Sequence, residues 1–254
     1  MKKLLIAALL TITALGTAAF AQPVTFVADI DFAPYSMISE GNPAGIDVEI
    51  LNEAARRAGI EIEIQFQPWK KVTEMVENGT CDGSFAFFKT PEREKTAIFM
   101  EASPLHYSNY VLFTKVGDKF SFSSYDDLTG KSIGRVAGTN LGKQFEEAFT
   151  QGKFTLKEYP NLGAALKGLI LDEIQAYAGN IDVTYYRLKS MGMTSSIVYL
   201  PKKLLPQRPA YMVMSRASEY PDKDRVMQGL ERALDQMRKD GTYNKIARRY
   251  LLRF

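Results

Sequence analysis

The chain contains one cysteine, one histidine and one tryptophan in 254 residues. A lone Cys81 excludes an internal disulfide, and its plain role is that of a small buried apolar residue rather than a reactive thiol. One His and one Cys supply no His/Cys ligand set for zinc, and no cofactor or metal is expected. Acidic and basic residues nearly balance, 29 against 32. The formal net charge is +3, and Lys2 and Lys3 carry two of those charges. No stretch has the basic clustering of a nucleic-acid surface. The apolar run from Leu4 to about Ala18 is short for a bilayer span. It follows Lys2-Lys3 and ends at Ala19-Phe20-Ala21, the small-x-small pattern read by signal peptidase. Residues 1–21 are therefore expected to be a cleaved export signal, leaving Gln22 as the first mature residue. The absence of a Cys beside the cleavage site argues against lipid attachment.

What remains has length for one large domain or for two lobes of about 100 residues each. Strands and amphipathic helices alternate along it. Val24 to Ala28 is rich in β-formers and leads into a turn-prone stretch, Asp29 to Tyr35. Ile46, Ile50, Leu51, Ala54, Ala55 and Ala58 recur at helical spacing, with Gly59 as a left-handed stop. Ile60, Ile62, Ile64 and Phe66 alternate with polar residues as a half-buried strand does. A short helix around Val72 to Val76 and an apolar strand, Ser84 to Phe88, follow. The same order restarts near residue 131. Lys131 to Val136, Phe154 to Tyr159, Ala176 to Ala178 and Ile197 to Leu200 read as strands. The helices between them are Leu141 to Phe149, Leu162 to Leu171 and Ile181 to Met191. Two β-α-β arrays imply an α/β fold with mostly parallel sheets.

Two extended segments, Tyr107 to Lys115 and Pro206 to Ser215, join the halves. After the second come only helices, Asp222 to Lys239 and Tyr243 to Leu252, which need a partner in the first half. The expected organisation is a first lobe over 22–112, an inserted second lobe over 113–207, and a return to the first lobe over 208–254. Ligands of such sheets lie outside the carboxyl ends of the strands, in the cleft between the lobes.

Four features sit at strand-to-helix turns. Arg93, in Thr90-Pro91-Glu92-Arg93, can offer its planar fork to a carboxylate, or it can pair with Glu92, Glu94 or Glu101 on the surface. Gly138-Thr139-Asn140 can bind negative charge through backbone N–H groups and a hydroxyl, or Thr139 or Asn140 can simply cap a helix. Phe32 and Trp69 can sandwich a ligand or pack in the core. Asn180 can face the cleft or cap the following helix. No nucleophile and base stand out. His106 reads as a polar residue beside the hinge, and Asp47 with Glu49 as solvated charge.

Taken together, Phe32-Ala33-Pro34-Tyr35, Gly45-Ile46-Asp47-Val48-Glu49, Asp82-Gly83, Thr90-Pro91-Glu92-Arg93, Ser103-Pro104, Gly138-Thr139 and Asp240-Gly241-Thr242-Tyr243 resemble the bacterial extracellular solute-binding protein family 3. These are the periplasmic amino-acid-binding proteins of ABC importers, and the likeness covers the mature chain. It implies a two-lobed periplasmic-binding-protein fold of type II, two crossover hinge strands, and a non-enzymatic protein acting in the periplasm. It further implies a monomer that delivers a small carboxylate-bearing ligand, by default a polar amino acid, to a membrane permease. Arg93 falls where the family clamps an α-carboxylate, Thr139 and its neighbour Asn140 where the second lobe adds donors. Phe32 and Trp69 fall on the aromatic positions beside the ligand, and Asp29 near a position that meets a polar side-chain tip. Two departures stand out. The family's Ser or Thr before the Arg are replaced by the apolar Phe85-Ala86-Phe87-Phe88, and the Asp that pairs with the α-ammonium is replaced by Asn180. The resemblance also admits an enzyme, since some relatives are cyclohexadienyl dehydratases, for which Glu173 or Asp182 would be the candidate general acid. A ligand-sensing partner of a membrane receptor is the third possibility.

Overall fold

The computed structural model describes residues 22–251, so the expected export signal lies outside the described residues. From the N-terminal side come β1 (Val24–Asp29), a hairpin of β2 (Met37–Ser39) and β3 (Asn42–Ala44), α1 (Ile46–Ala58), β4 (Ile62–Gln67), α2 (Trp69–Asn78) and β5 (Gly83–Phe88). The short α3 (Pro91–Glu94), β6 (Ala97–Phe99) and β7 (His106–Ser108) complete this part. The chain then runs through β8 (Tyr110–Lys115), β9 (Lys131–Val136), α4 (Lys143–Thr150), β10 (Phe154–Tyr159), α5 (Leu162–Ile170), β11 (Ala176–Asn180), α6 (Ile181–Ser190) and β12 (Ile197–Lys203). It returns in β13 (Arg208–Ser215) and ends in α7 (Lys223–Lys239) and α8 (Thr242–Leu251).

Two sheets result. The first has the order β4-β1-β5-β13-β6, with β7 also on β13; the second has the order β10-β9-β11-β8-β12. In each, the βαβ part is parallel, as the alternation of strand and helix predicts. The strands that cross between lobes enter antiparallel: β13 against β5, and β8 against β11 and β12. The chain passes into the second sheet between β7 and β8, at Asn109, just before the expected boundary at 112, and returns at Arg208. Both sheets are therefore mixed rather than mostly parallel.

The helical C-terminus packs where the sequence requires it. α1 and α7 lie face to face, α7 burying Val226, Leu230, Ala233, Leu234 and Met237. Arg57 of α1 fixes the break between the last helices by pairing with Asp240 at 2.6 Å and donating to Thr242. The β2-β3 hairpin, turning on Glu40 and Gly41, has no counterpart in the expected element order. Asp47 also departs from expectation. It is fully buried rather than solvated, because the returning β7 presses His106 against it: Nδ1 lies 2.9 Å from Asp47 Oδ2, and Nε2 lies 3.2 Å from Ser108 Oγ. Burial pushes the Asp47 carboxyl up, opposed by the adjacent imidazole. Glu49, two residues on and on another side of the helix, is held by Arg249 and Tyr250.

One turn places the first-lobe side of the site. Gly45 precedes α1 with φ +124°, and a Cβ there would lie 2.3 Å from the carbonyl oxygen of Tyr35. Both the conformation and the contact exclude a side chain. Gly45→Ala is expected to lower stability by about 3 kcal/mol or more. A melting temperature equal to that of the parent protein would show that the turn tolerates a side chain.

Candidate functional site

The carboxyl ends of β1, β5, β9 and β11 converge on a cavity of about 400 Å³ between the two sheets. Its lining includes all seven residues expected from the sequence: Asp29, Phe32, Trp69, Arg93, Thr139, Asn140 and Asn180. Ile30, Asp31, Tyr110, Asn161 and Arg187 line it as well, and these the sequence reading did not single out. For Arg187 a signal existed. Asn180, Val183 and Arg187 are spaced three and four apart along α6 and so share one helix face, and all three line the cavity.

The lobes are pinned together over this cavity. Asp31 of the first lobe forms an ion pair with Arg187 and accepts from the Leu162 backbone N–H of the second, at 3.0 Å. Tyr35 donates to Asp182 at 3.0 Å while its ring stacks on His106, with centroids 4.2 Å apart. Trp69 reaches across from α2 and donates its indole N–H to the Gly138 carbonyl at 3.0 Å.

The turn before Arg93 fixes its backbone. Thr90 caps the short α3 by accepting from the Arg93 N–H, and Pro91 fixes the first helical position. The guanidinium lies over the rings of Phe87 and Trp69, 5.2 and 5.3 Å from their centroids. Among the described residues its guanidinium donates to two carbonyls, Phe88 O at 3.3 Å and Gly138 O at 3.4 Å. The surface pairing open to it in the sequence does not form. Lys89 takes Glu94 and Glu101 instead, and no carboxylate among the described residues forms an ion pair with Arg93. Burial holds the Arg93 guanidinium down at about 10, with the nearby Arg208 cation acting the same way. A cation in this setting lacks a counter-charge, and a ligand carboxylate would supply one with fork geometry.

The second-lobe loop differs in detail from the expected anion cradle. The Thr139 N–H is already given to the Val136 carbonyl, and α4 starts only after Gly142, so neither Thr139 nor Asn140 is its cap. Asn140 instead accepts from the Gly142 N–H and from Arg208, whose guanidinium also covers the Phe88 ring and donates to the Lys89 carbonyl. The return strand thereby holds the loop that carries Thr139. Asn180 does both things open to it. Its Oδ1 caps α6 by accepting from the Val183 N–H at 3.2 Å, and its buried side chain lines the cavity.

Asp29 ends β1 at the cavity wall, where its Oδ1 accepts from the Asp31 N–H at 3.1 Å. Burial pushes its carboxyl up to about 7; the Asp31 N–H works against this, and the Asp31 carboxylate adds to it. The two residues considered as general acids stand elsewhere. Glu173 is held by Lys157 and Tyr159, and Asp182 by Tyr35, and neither lines the cavity. Cys81 is buried, and no group of acidic, His and Cys side chains among the described residues could hold a metal ion. No helix among them is long and apolar enough to cross a membrane.

Two mixed sheets flanked by helices and joined by crossing strands, with a cavity between them, define a two-lobed binding fold. The chain matches the model of the bacterial extracellular solute-binding proteins, family 3, over residues 24–253, and it belongs to that family. A probable amino-acid-binding protein of Bacillus subtilis, YxeM, is 26% identical over 85% of this chain and 79% of its own length. A putative ABC transporter arginine-binding protein 2 of Escherichia coli is 25% identical over 97% of both chains. Among solved structures, an ancestral arginine-binding protein bound to arginine superposes with a TM-score of 0.77 at 20% identity, covering 90% of this chain and 97% of its own.

Proposed function

We propose that this protein is exported and, in the periplasm, captures an amino acid or a related small carboxylate for the permease of an ABC importer. The observation that carries this reading is Arg93: a half-buried guanidinium lining the interlobe cavity, stacked on aromatic rings and without an ion-pair partner among the described residues. The ligand carboxylate completes the ion pair, with the Thr139 hydroxyl as a second donor from the other lobe. Phe32 and Trp69 bound the apolar part of the ligand. Binding closes the lobes about the strands on either side of Asn109 and before Arg208, and the closed form presents both lobe surfaces to the transporter. Relatives described as amino-acid-binding and arginine-binding proteins support this reading. An enzyme reading finds no support in the placement of Glu173 and Asp182 outside the cavity.

The test uses mature protein stripped of bound solute by unfolding and refolding, then melted with L-amino acids, hydroxy acids, keto acids, dicarboxylates and amines. A ligand that binds only the folded state at a hundred times its Kd raises stability by about 2.7 kcal/mol. At least one carboxylate is expected to raise the melting temperature by several degrees and to change the fluorescence of Trp69, the sole tryptophan. A panel in which only amines without a carboxylate act would overturn the reading.

A further inference from the structure

At Asn180, where the family resemblance implies the partner of an α-ammonium, the cavity presents a donor. Asn180 is 4% exposed, and its orientation is not free: Oδ1 is committed to the Val183 N–H at the start of α6. The atom left over is Nδ2, a donor, which lies beside the Tyr110 hydroxyl but makes no well-aligned hydrogen bond among the described residues. A buried donor without an acceptor is costly and is normally satisfied in the functional state. An ammonium placed against it would set donor against donor and would leave a desolvated cation without a counter-charge. Ahead of Arg93, the residues Phe85, Ala86, Phe87 and Phe88 carry no side-chain hydroxyl or carboxylate that could take over the role. The cavity's acidic side chains are Asp29 and Asp31, and Asp31 is committed to Arg187 and the Leu162 N–H. Asp29 alone keeps an oxygen for a ligand donor, since only its Oδ1 takes the Asp31 N–H.

Resting on the function proposed above, we propose that the ligand is a carboxylate with no α-amine, carrying instead an acceptor toward Asn180 Nδ2 and a cationic or hydrogen-bond-donating group toward Asp29. Linear ω-amino acids are the simplest members of this class. The carboxylate sits on Arg93, with one of its oxygens, or an adjacent carbonyl or hydroxyl oxygen, accepting from Asn180. The distal ammonium neutralises Asp29.

Matched pairs that differ only in the α-amine decide the matter. Isothermal titration would compare 4-aminobutanoate with L-2,4-diaminobutanoate, 5-aminopentanoate with L-ornithine, and 6-aminohexanoate with L-lysine. In the pair of best-fitting length, the compound lacking the α-amine is expected to bind at least about tenfold more tightly. Asn180→Asp should reverse that order, and it retains the cap because Asp also accepts from the Val183 N–H. An α-amino acid that binds as tightly as its partner, or an Asn180→Asp protein with unchanged preference, would overturn the inference. So would a complete lack of binding in both series beside clear binding of some other carboxylate; that result leaves the proposed function standing. If no carboxylate binds at all, the function itself falls.

Discussion

Arg93→Ala is expected to reduce affinity for the best-bound carboxylate by at least about 100-fold while leaving the fold intact. Truncating one member of a buried, hydrogen-bonded charge pair costs about 2–5 kcal/mol, and here Arg93 is the cation that lines the cavity beside Thr139. Arg187, the other cavity-lining arginine, is taken by Asp31, and Arg208 is spent on Asn140 and the Lys89 carbonyl. Nothing nearby can replace the fork. The effect on the ligand-free protein has the opposite sign. A guanidinium buried without a counter-ion is a cost to the folded state, and the bonds lost are two long contacts to the Phe88 and Gly138 carbonyls. The empty variant should melt no lower than the parent protein. Arg93→Lys keeps the charge but loses the bidentate geometry and the stacking on Trp69 and Phe87, so it should fall between the two. Titration calorimetry and thermal melts of the three proteins check both halves. Unchanged affinity in Arg93→Ala would remove the carboxylate from this position.

The second large effect concerns pH. Burial pushes the Asp29 carboxyl up to about 7 from the ordinary 3.8. Because its folded-state value is raised, the folded protein takes up the proton more readily than the unfolded chain. The contribution of Asp29 to ligand-free stability is thus fully present below about 4 and is lost as pH rises through about 7. A cationic ligand end reverses the preference, since it needs the carboxylate charged. Affinity for an ω-amino acid should rise by up to about tenfold per pH unit between pH 5 and 7 and level off above, with one proton released on binding at the lower pH. The charged and titratable groups around Asp29 are Asp31, Tyr110 and Tyr177. Both tyrosines are pushed above the ordinary tyrosine range by burial, so neither titrates in this window. Asp29→Asn should abolish the slope and most of the binding. A flat profile in the parent protein would mean that Asp29 meets no cation.

Much of this site was legible because its residues sit at the carboxyl ends of strands, and strand and helix periods could be read locally. Arg93 after β5, Thr139 after β9 and Asn180 at the end of β11 follow from that rule, while Asp29 at the end of β1 came from the family resemblance. Gly59 and the alternation from Ile60 to Phe66 likewise marked a helix stop and a half-buried edge strand. What was hidden depends on segments far apart in sequence. Asp47 looked solvated because it was read with Glu49 as the polar face of its helix; His106 of β7, distant in sequence, lies against it in the fold. Asp31 and Arg187 are 156 residues apart, and their pairing exists only when the lobes meet. The mixed direction of the sheets was missed for a related reason. Both crossing strands, β8 and β13, read in sequence as extended hinge segments, but the antiparallel direction in which they pair shows only in the fold. The double role of Asn180 could not be resolved from sequence, where capping and ligand contact looked like alternatives. The structure has one amide atom doing the first and the other left for the second.

The most direct measurement is a crystal structure of the mature protein holding its bound solute. A carboxylate oxygen is expected within about 2.7–3.2 Å of the Arg93 guanidinium, with an acceptor facing Asn180 Nδ2 and a donor at Asp29. A ligand whose carboxylate lies away from Arg93, or whose ammonium rests against Asn180, would contradict the account.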